Sequence, residues 1–255
     1  MIALPRPLKS AIKAHLPRGL NLGAPVVQLF LNDGRHTRLG LVNFPSFLAP
    51  TRGVDYRYSL HPFDPEGRAA GIATVDMPRY GSMEVDLASL FGERLPAMGM
   101  IAVRIRPSRF FSLRDRHLGR IRPHFFTLFA SARMESLGLV HPQTHLDASP
   151  APEREWVSNL EIEPTAVTRI ELFQINPGRA HVETEAFLQD SDGGMLDRSK
   201  ARIPPRGTRR VEFDLAALTG RHRTVCVGLR GLAAANGKPI LFLHFRDGSF
   251  TCCHA

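Results

Sequence analysis

The sequence predicts an all-β protein: two tandem β-sandwich domains from an internal duplication, preceded by a short N-terminal arm. Three observations carry that expectation. Arg133, Ser136 and His141 recur as Arg246, Ser249 and His254 with identical spacing. Gly81-Ser82-Met83-Glu84-Val85, leading into Asp86-Leu87-Ala88-Ser89-Leu90, is echoed by Gly207-Thr208-Arg209-Arg210-Val211 ahead of Asp214-Leu215-Ala216-Ala217-Leu218, and Leu41-Val42-Asn43 by Phe173-Gln174-Ile175-Asn176. Most apolar runs are short and stop at Gly or Pro, the pattern of a sandwich rather than of helices. Ordered self-similarity outranks any single motif when architecture is inferred.

A chain of 255 residues suits two domains of roughly 100–150 residues, each able to bury a core. The expected division is an N-terminal basic arm over 1–25, a first sandwich over 26–146, a linker over 147–154 and a second sandwich over 155–255. In the arm, Leu8, Ala11, Ile12 and Leu16 fall at helical spacing between Pro7 and Pro17, with Lys9 and Lys13 on another face. So short a helix is marginal alone and must dock on its own domain, on a partner or on a membrane surface. From Pro25 the pattern turns to strands. Val26 to Leu31 stops at Asn32-Asp33-Gly34, and Arg38 to Asn43 resumes beyond it. Tyr56 to Leu60 runs toward Asp64-Pro65-Glu66-Gly67; Met100 to Ile105, Phe125 to Phe129 and Gly138 to His141 follow.

Asp147-Ala148-Ser149-Pro150-Ala151-Pro152-Glu153 is small, polar and Pro-rich, as a linker is. The second half is expected to place strands at 156–162, 169–175, 182–188, 199–203, 208–213, 224–229, 239–245 and 249–253. Asp190-Ser191-Asp192-Gly193-Gly194 is its strongest hairpin turn. Asp86 and Asp214 each head a single helical turn as its N-cap.

Three cues in the second half carry a resemblance: Asn176-Pro177-Gly178 before an alternating strand, Ile203-Pro204-Pro205-Arg206-Gly207-Thr208 before Val211-Glu212-Phe213, and the run from Lys238-Pro239-Ile240 to Phe245-Arg246-Asp247. Together they resemble the soluble sensory-rhodopsin-transducer family, a bacterial β-sandwich, over roughly residues 165–255. The resemblance implies a non-enzymatic, oligomeric signalling or binding protein with no catalytic residues to transfer. The chain departs from that family in being duplicated and in carrying a basic insertion.

Among residues that carry chemistry, the repeated set Arg133, Ser136, His141 and Arg246, Ser249, His254 is the candidate ligand site. A guanidinium fork with Ser and His suits an anion or a sugar; the alternative is turn chemistry inherited with the repeat. His141, His145 and Asp147 are metal-capable, but no ligand pattern accompanies them and no metal is expected. Cys252-Cys253-His254 is not a soft-metal site, because adjacent strand residues point to opposite faces. The basic insertion, residues 104–122, holds Arg104, Arg106, Arg109, Arg114, Arg116, Arg120 and Arg122 among Phe110, Phe111 and His117. Arginine beside aromatics suits nucleic acid or phosphate; salt bridges to Glu153, Glu155, Glu161 and Glu163 are the competing reading.

The net charge of +9 is uneven: residues 1–150 hold 19 Lys/Arg and 11 Asp/Glu, residues 151–255 hold 14 and 13. Only Lys9, Lys13, Lys200 and Lys238 are lysines. GC-rich coding produces the same bias, so charge alone is not a functional signal. Three cysteines, odd in number, fit a reducing cytoplasm. No apolar run nears the roughly 20 residues of a membrane span, and no Gly-rich phosphate loop or nucleophile elbow occurs. The expectation is a cytoplasmic binding or adaptor protein without cofactor, with a protein partner and a possible homo-oligomeric state. A carbohydrate- or polyanion-binding module is the alternative, and a metal-dependent hydrolase comes third.

Overall fold

The computed structural model describes residues 25–44, 46, 55–107, 124–133, 135–142, 144–235 and 237–254. The expected helix of the arm, between Pro7 and Pro17, lies outside them. The first half forms β1 (Val26–Leu31), β2 (Arg35–Val42), β3 (Tyr56–Phe63), β4 (Ala73–Met77), β5 (Ser82–Asp86), β6 (Met98–Pro107), β7 (His124–Ser131), β8 (Leu137–Val140) and β9 (Thr144–His145). The second half forms β10 (Ala151–Val157), β11 (Val167–Ile175), β12 (Val182–Asp190), β13 (Met195–Ile203), β14 (Thr208–Asp214), β15 (Val225–Leu232), β16 (Ile240–Phe245) and β17 (Phe250–His254).

These strands make four antiparallel sheets. Sheet I has the order β4-β3-β6-β1-β9 and sheet II β5-β2-β7-β8; sheet III has β10-β15-β12-β13 and sheet IV β14-β11-β16-β17. Sheets II and IV follow one scheme, β5-β2-β7-β8 corresponding to β14-β11-β16-β17. Sheets I and III share a scheme too, β4-β3-β6-β1 corresponding to β13-β12-β15-β10.

Local chemistry fixes the elements. In β2, Arg35, Thr37, Leu39 and Leu41 are buried while the residues between them are half-buried, the period-two pattern of a strand on a core. The turn after β1 uses Gly34 at φ 95°, where a side chain would be strained. Asp86 accepts from the Ala88 and Ser89 amides and starts α1 (Leu87–Phe91); Asp214 accepts from the Ala216 amide at 2.9 Å, but the 3-10 turn over Ala216–Leu218 is capped at Leu215, one residue later than expected, without a side-chain bond.

The two halves also share a buried node. Asn43 closes β2 and Asn176 closes β11, both fully buried. The Asn43 amide donates to the Gly81 carbonyl at 2.9 Å and its side chain to the Pro78 carbonyl at 2.9 Å. The Asn176 amide and side chain do the same with Gly207 and Pro204, again at 2.9 Å. Each asparagine thereby pins a four-residue turn, Pro78 to Gly81 or Pro204 to Gly207, whose third residue is left-handed: Tyr80 at φ 60° and Arg206 at φ 58°.

Val26, Phe30, Leu39, Tyr58, Ile101 and Phe125 belong to a core between sheets I and II. Ile170, Leu172, Leu188, Phe213, Val227 and Leu241 belong to one between sheets III and IV. The all-β class holds, but the arrangement departs from two sandwiches joined by a linker. A third core joins the halves: Leu29 and Leu31 of β1 pack with Phe129 and Val140, and with Phe173, Phe242, Phe250 and Cys252 of sheet IV. The cause is β1 itself, whose six residues are all buried. A strand apolar on both faces must be covered on both.

The expected linker, 147–154, is corrected in the same way. Ala148 and Ala151 are buried, and β10 begins at Ala151, pairing it with Leu232. Pro152 is tolerated because β10 is the edge of sheet III, where a missing amide donor costs no ladder bond. β10 then ends at Val157, so the strand expected over 156–162 stops early, and Ile162 makes only an isolated bridge to Val225. No helix among the described residues is long and apolar enough to cross a membrane.

Candidate functional site

The most heavily charged buried site lies where the two halves meet. Glu171 stands in the middle of β11 with 1% of its surface exposed. Its Oε2 accepts from Arg35, which β2 sends across from the first half, and lies 2.8 Å from His244 Nε2 on the neighbouring β16. Its Oε1 accepts from Arg210 at 3.3 Å. Arg35 also donates to Asp33 at 2.9 and 2.6 Å, and its guanidinium lies 4.8 Å from the Phe242 ring centre. Burial acts to raise the pKa of Glu171, but the His244 hydrogen bond and the Arg35 charge outweigh it and bring it to about 2. Burial likewise opposes the charge on Arg35, and Asp33 and Glu171 overcome it, so its pKa is raised. Every charge in the cluster is met by an opposite one, which is the condition for keeping ions in an interior. Chemically the cluster is a bolt between the halves rather than an open acid–base pair.

The repeated Arg-Ser-His sets flank two matching strands, β8 and β17. In each copy the serine precedes a strand and the histidine lies at or beyond its far end, so five residue steps of extended chain separate them by roughly 17 Å. Arg246 is spent on the backbone, donating to the Thr165 and Pro164 carbonyls and to Thr219 Oγ1. Ser249 Oγ donates to Asp247 at 2.6 Å. Arg133 is exposed in the turn before β8. The two sets meet each other instead. Ser136 Oγ accepts from the Phe250 amide at 3.1 Å, His254 Nε2 lies 2.6 Å from the His141 carbonyl, and the two imidazole rings are 5.0 Å apart, edge to face. A side chain at Gly138 would strike Cys252, so β8 lies hard against β17.

His145 sits in β9, and Asp147 is bound by Arg179 through two 2.8 Å hydrogen bonds. That hydrogen bonding is the main reason the Asp147 carboxyl lies below its ordinary range. Among the described residues, no group of three or more His, Cys, Asp or Glu is arranged to hold a metal. Cys252 faces the third core and Cys253 the second-half core; burial first, then the neighbouring Cys253, pushes the Cys252 thiol up to about 12.

Arg104 and Arg106 are not part of an insertion. They are residues of β6, opposite Ser59 and Arg57 on the outer face of sheet I, because they alternate with the buried Val103 and Ile105. Their field reaches His61, whose pKa burial lowers and the two arginines lower further. Arg109, Arg114, Arg116, Arg120 and Arg122 lie outside the described residues. Glu155 pairs with Arg230 at 2.8 Å.

An open trough of about 740 Å³ runs over the outer face of sheet III, lined by Glu183, Glu185, Arg198, Lys200, Arg202 and Arg230 among others. Register explains it: Glu185 stands opposite both Lys200 and Arg230, Glu183 opposite Arg202, and Phe187 opposite Arg198. Arg230 is held between Glu155 and Glu185 at 2.8 and 3.1 Å and lies over the Phe187 ring at 5.0 Å. Among the described residues Arg198 and Arg202 form no salt bridge. The sequence signal for this site is the alternation Arg198, Lys200, Arg202, which places three cations on one face of one strand.

No family model matches the chain, and no curated protein matches it. Solved structures that it resembles include a putative beta-galactosidase from Bacteroides fragilis, at 10% identity and TM-score 0.22, covering 99% of this chain and 38% of that one. A glycosyl hydrolase family 2 member from Bacteroides cellulosilyticus gives 10% and 0.22, covering 89% and 25%. A beta-glucuronidase of the same family gives 11% and 0.21, covering 90% and 24%. The chain thus spans about a quarter to two fifths of these structures, and a likeness this slight assigns it neither a fold family nor an activity.

Proposed function

We propose that this chain is a non-enzymatic binding protein that takes an anionic partner on the outer face of sheet III. The observation that carries the reading is the row Arg198, Lys200 and Arg202 in the trough. Extended-chain geometry spaces them roughly 7 Å apart on one side of β13, and among the described residues Arg198 and Arg202 have no salt bridge to give up. The strongest acid–base candidates, Glu171 and His244, are engaged in the bolt between the halves and serve cohesion. The outer face of sheet I, with Arg104 and Arg106, extends the same chemistry to the first half.

On this reading the two halves descend from one duplicated module, which the matching strand orders and the paired Asn43 and Asn176 nodes support. A reducing cytoplasm suits its three free thiols. The test is a fluorescence titration against three anionic probes: a heparin fragment, a single-stranded oligodeoxynucleotide and an acidic peptide. Binding of at least one that is lost in Arg198→Ala/Arg202→Ala is the expected result. Affinities for all three that ignore the double substitution would overturn it.

A further inference from the structure

Counted back from Asn43 and Asn176, the two halves place Leu41 and Gln174 at the same position of matching strands. Leu41 belongs to the core between sheets I and II. Gln174 is enclosed almost as deeply, with 3% of its surface exposed, yet it brings an amide where its counterpart brings a hydrocarbon. Among the described residues neither its Nε2 nor its Oε1 has a hydrogen-bond partner. A buried amide left unpaired is costly, and interiors rarely keep one.

Gln174 lines a cavity of about 20 Å³ where the halves meet. The first half supplies Gln28 and Thr144 to its wall, and the second half supplies His254 and the small residues Ala233 and Gly237 beside Gln174. Two more buried polar atoms of this wall have no partner among the described residues, Gln28 Nε2 and His254 Nδ1. In each of these residues the other polar atom is engaged. Gln28 Oε1 accepts from the Leu29 amide at 3.0 Å, and His254 Nε2 donates to the His141 carbonyl at 2.6 Å. Burial is the main cause lowering the His254 pKa, and in the neutral ring Nδ1 is then an acceptor.

Size and chemistry name the occupant. A water molecule needs roughly 10–15 Å³ of such space and two to four polar partners, so this volume admits one. An anion would meet two acceptors, Gln174 Oε1 and His254 Nδ1, and a cation would meet the amide donors of Gln28 and Gln174. Among the described residues no carboxylate lines the wall, and its one lysine, Lys238, is exposed. Water donates and accepts at once. We propose that the cavity is a binding site for a single water molecule, which bridges Gln28 of the first half to Gln174 of the second and donates to His254. It adds a polar tie to the join that Leu29, Phe173 and Phe242 make with apolar side chains.

A crystal structure of the full chain, grown with bromide in the medium, tests the proposal. One water is expected in the cavity within about 3.2 Å of both the Gln174 amide and Gln28 Nε2, with no anomalous signal from bromide. A Gln174 amide that bonds only to protein groups, a water that touches Gln174 and not Gln28, or a bromide peak at the site would overturn it. In solution, magnetic relaxation dispersion of water oxygen counts long-lived internal waters. Gln174→Leu, which copies Leu41, should lose one of them, and an unchanged count in the folded variant would also overturn the proposal. The wild-type crystal structure decides the question should that variant fail to fold.

Discussion

Asn43 and Asn176 hold the same position in the two halves: each closes a core strand and donates its side-chain amide to the proline carbonyl that opens a left-handed turn. Asn176 also donates to the Ala180 and Ile203 carbonyls and accepts from the Gly178 amide. Asn176→Ala leaves these buried backbone groups without partners, and unpaired buried groups cost about 1–3 kcal/mol each. A loss of about 3 kcal/mol in unfolding free energy is expected, read as a lower urea midpoint with an unchanged slope.

Arg35 and Glu171 make the second prediction. Removing the cation alone strands a buried carboxylate, and breaking such a pair costs about 3–5 kcal/mol. Arg35→Ala should therefore destabilise the chain more than Glu171→Gln, which keeps a hydrogen-bonding group and abolishes the charge. Paired urea denaturation curves check the order; a larger loss in Glu171→Gln would show that Arg35 is held mainly by Asp33 and the Phe242 ring.

Acid should loosen the same bolt. The Glu171 pKa falls from its ordinary 4.5 to about 2 in the folded chain, so the unfolded state binds its proton first. Its stabilising contribution is complete above about pH 4.5 and is lost as the pH drops through about 2. Melting temperatures of the wild type should fall across that window, and Glu171→Gln should fall less steeply because it has no proton to take up there.

Salt reports on the sheet III trough. If Arg198 and Arg202 meet anionic groups, affinity for an anionic probe falls as counterions compete, with a log–log slope of about 0.9 for each neutralised charge on duplex DNA and about 0.7 on single strands. Replacing one of the two by Ala should reduce the slope of an oligodeoxynucleotide titration by close to one contact's worth. An undiminished slope would place the contact elsewhere, with Arg104 and Arg106 the next candidates.

Legibility in the sequence follows the range of the interaction. The turn at Asn32-Asp33-Gly34, the hairpin at Asp190 to Gly194 and the Asp86 cap are local residue choices, and each is found where its residues stand; the 3-10 turn after Asp214 is capped one residue later, at Leu215. β4 escapes notice because, at the edge of sheet I, only Met77 of its five residues is buried. Glu171 does send a signal, a lone acid inside the apolar run Ile170-Glu171-Leu172-Phe173, yet its partner Arg35 is 136 residues away and no spacing rule links them. The Arg-Ser-His repeat is real as a spacing, and in each copy an extended strand separates the serine from the histidine.

The doubly buried β1 has a consequence for anyone who divides this molecule. A fragment starting at Ala151 would keep all of sheets III and IV and every residue of its own core, and would still present Phe173, Phe242, Phe250 and Ile240 to water. The first half covers an apolar face that the second half cannot cover by itself, and the second half released from it should reach the insoluble fraction of an expression culture unless the first is supplied in trans.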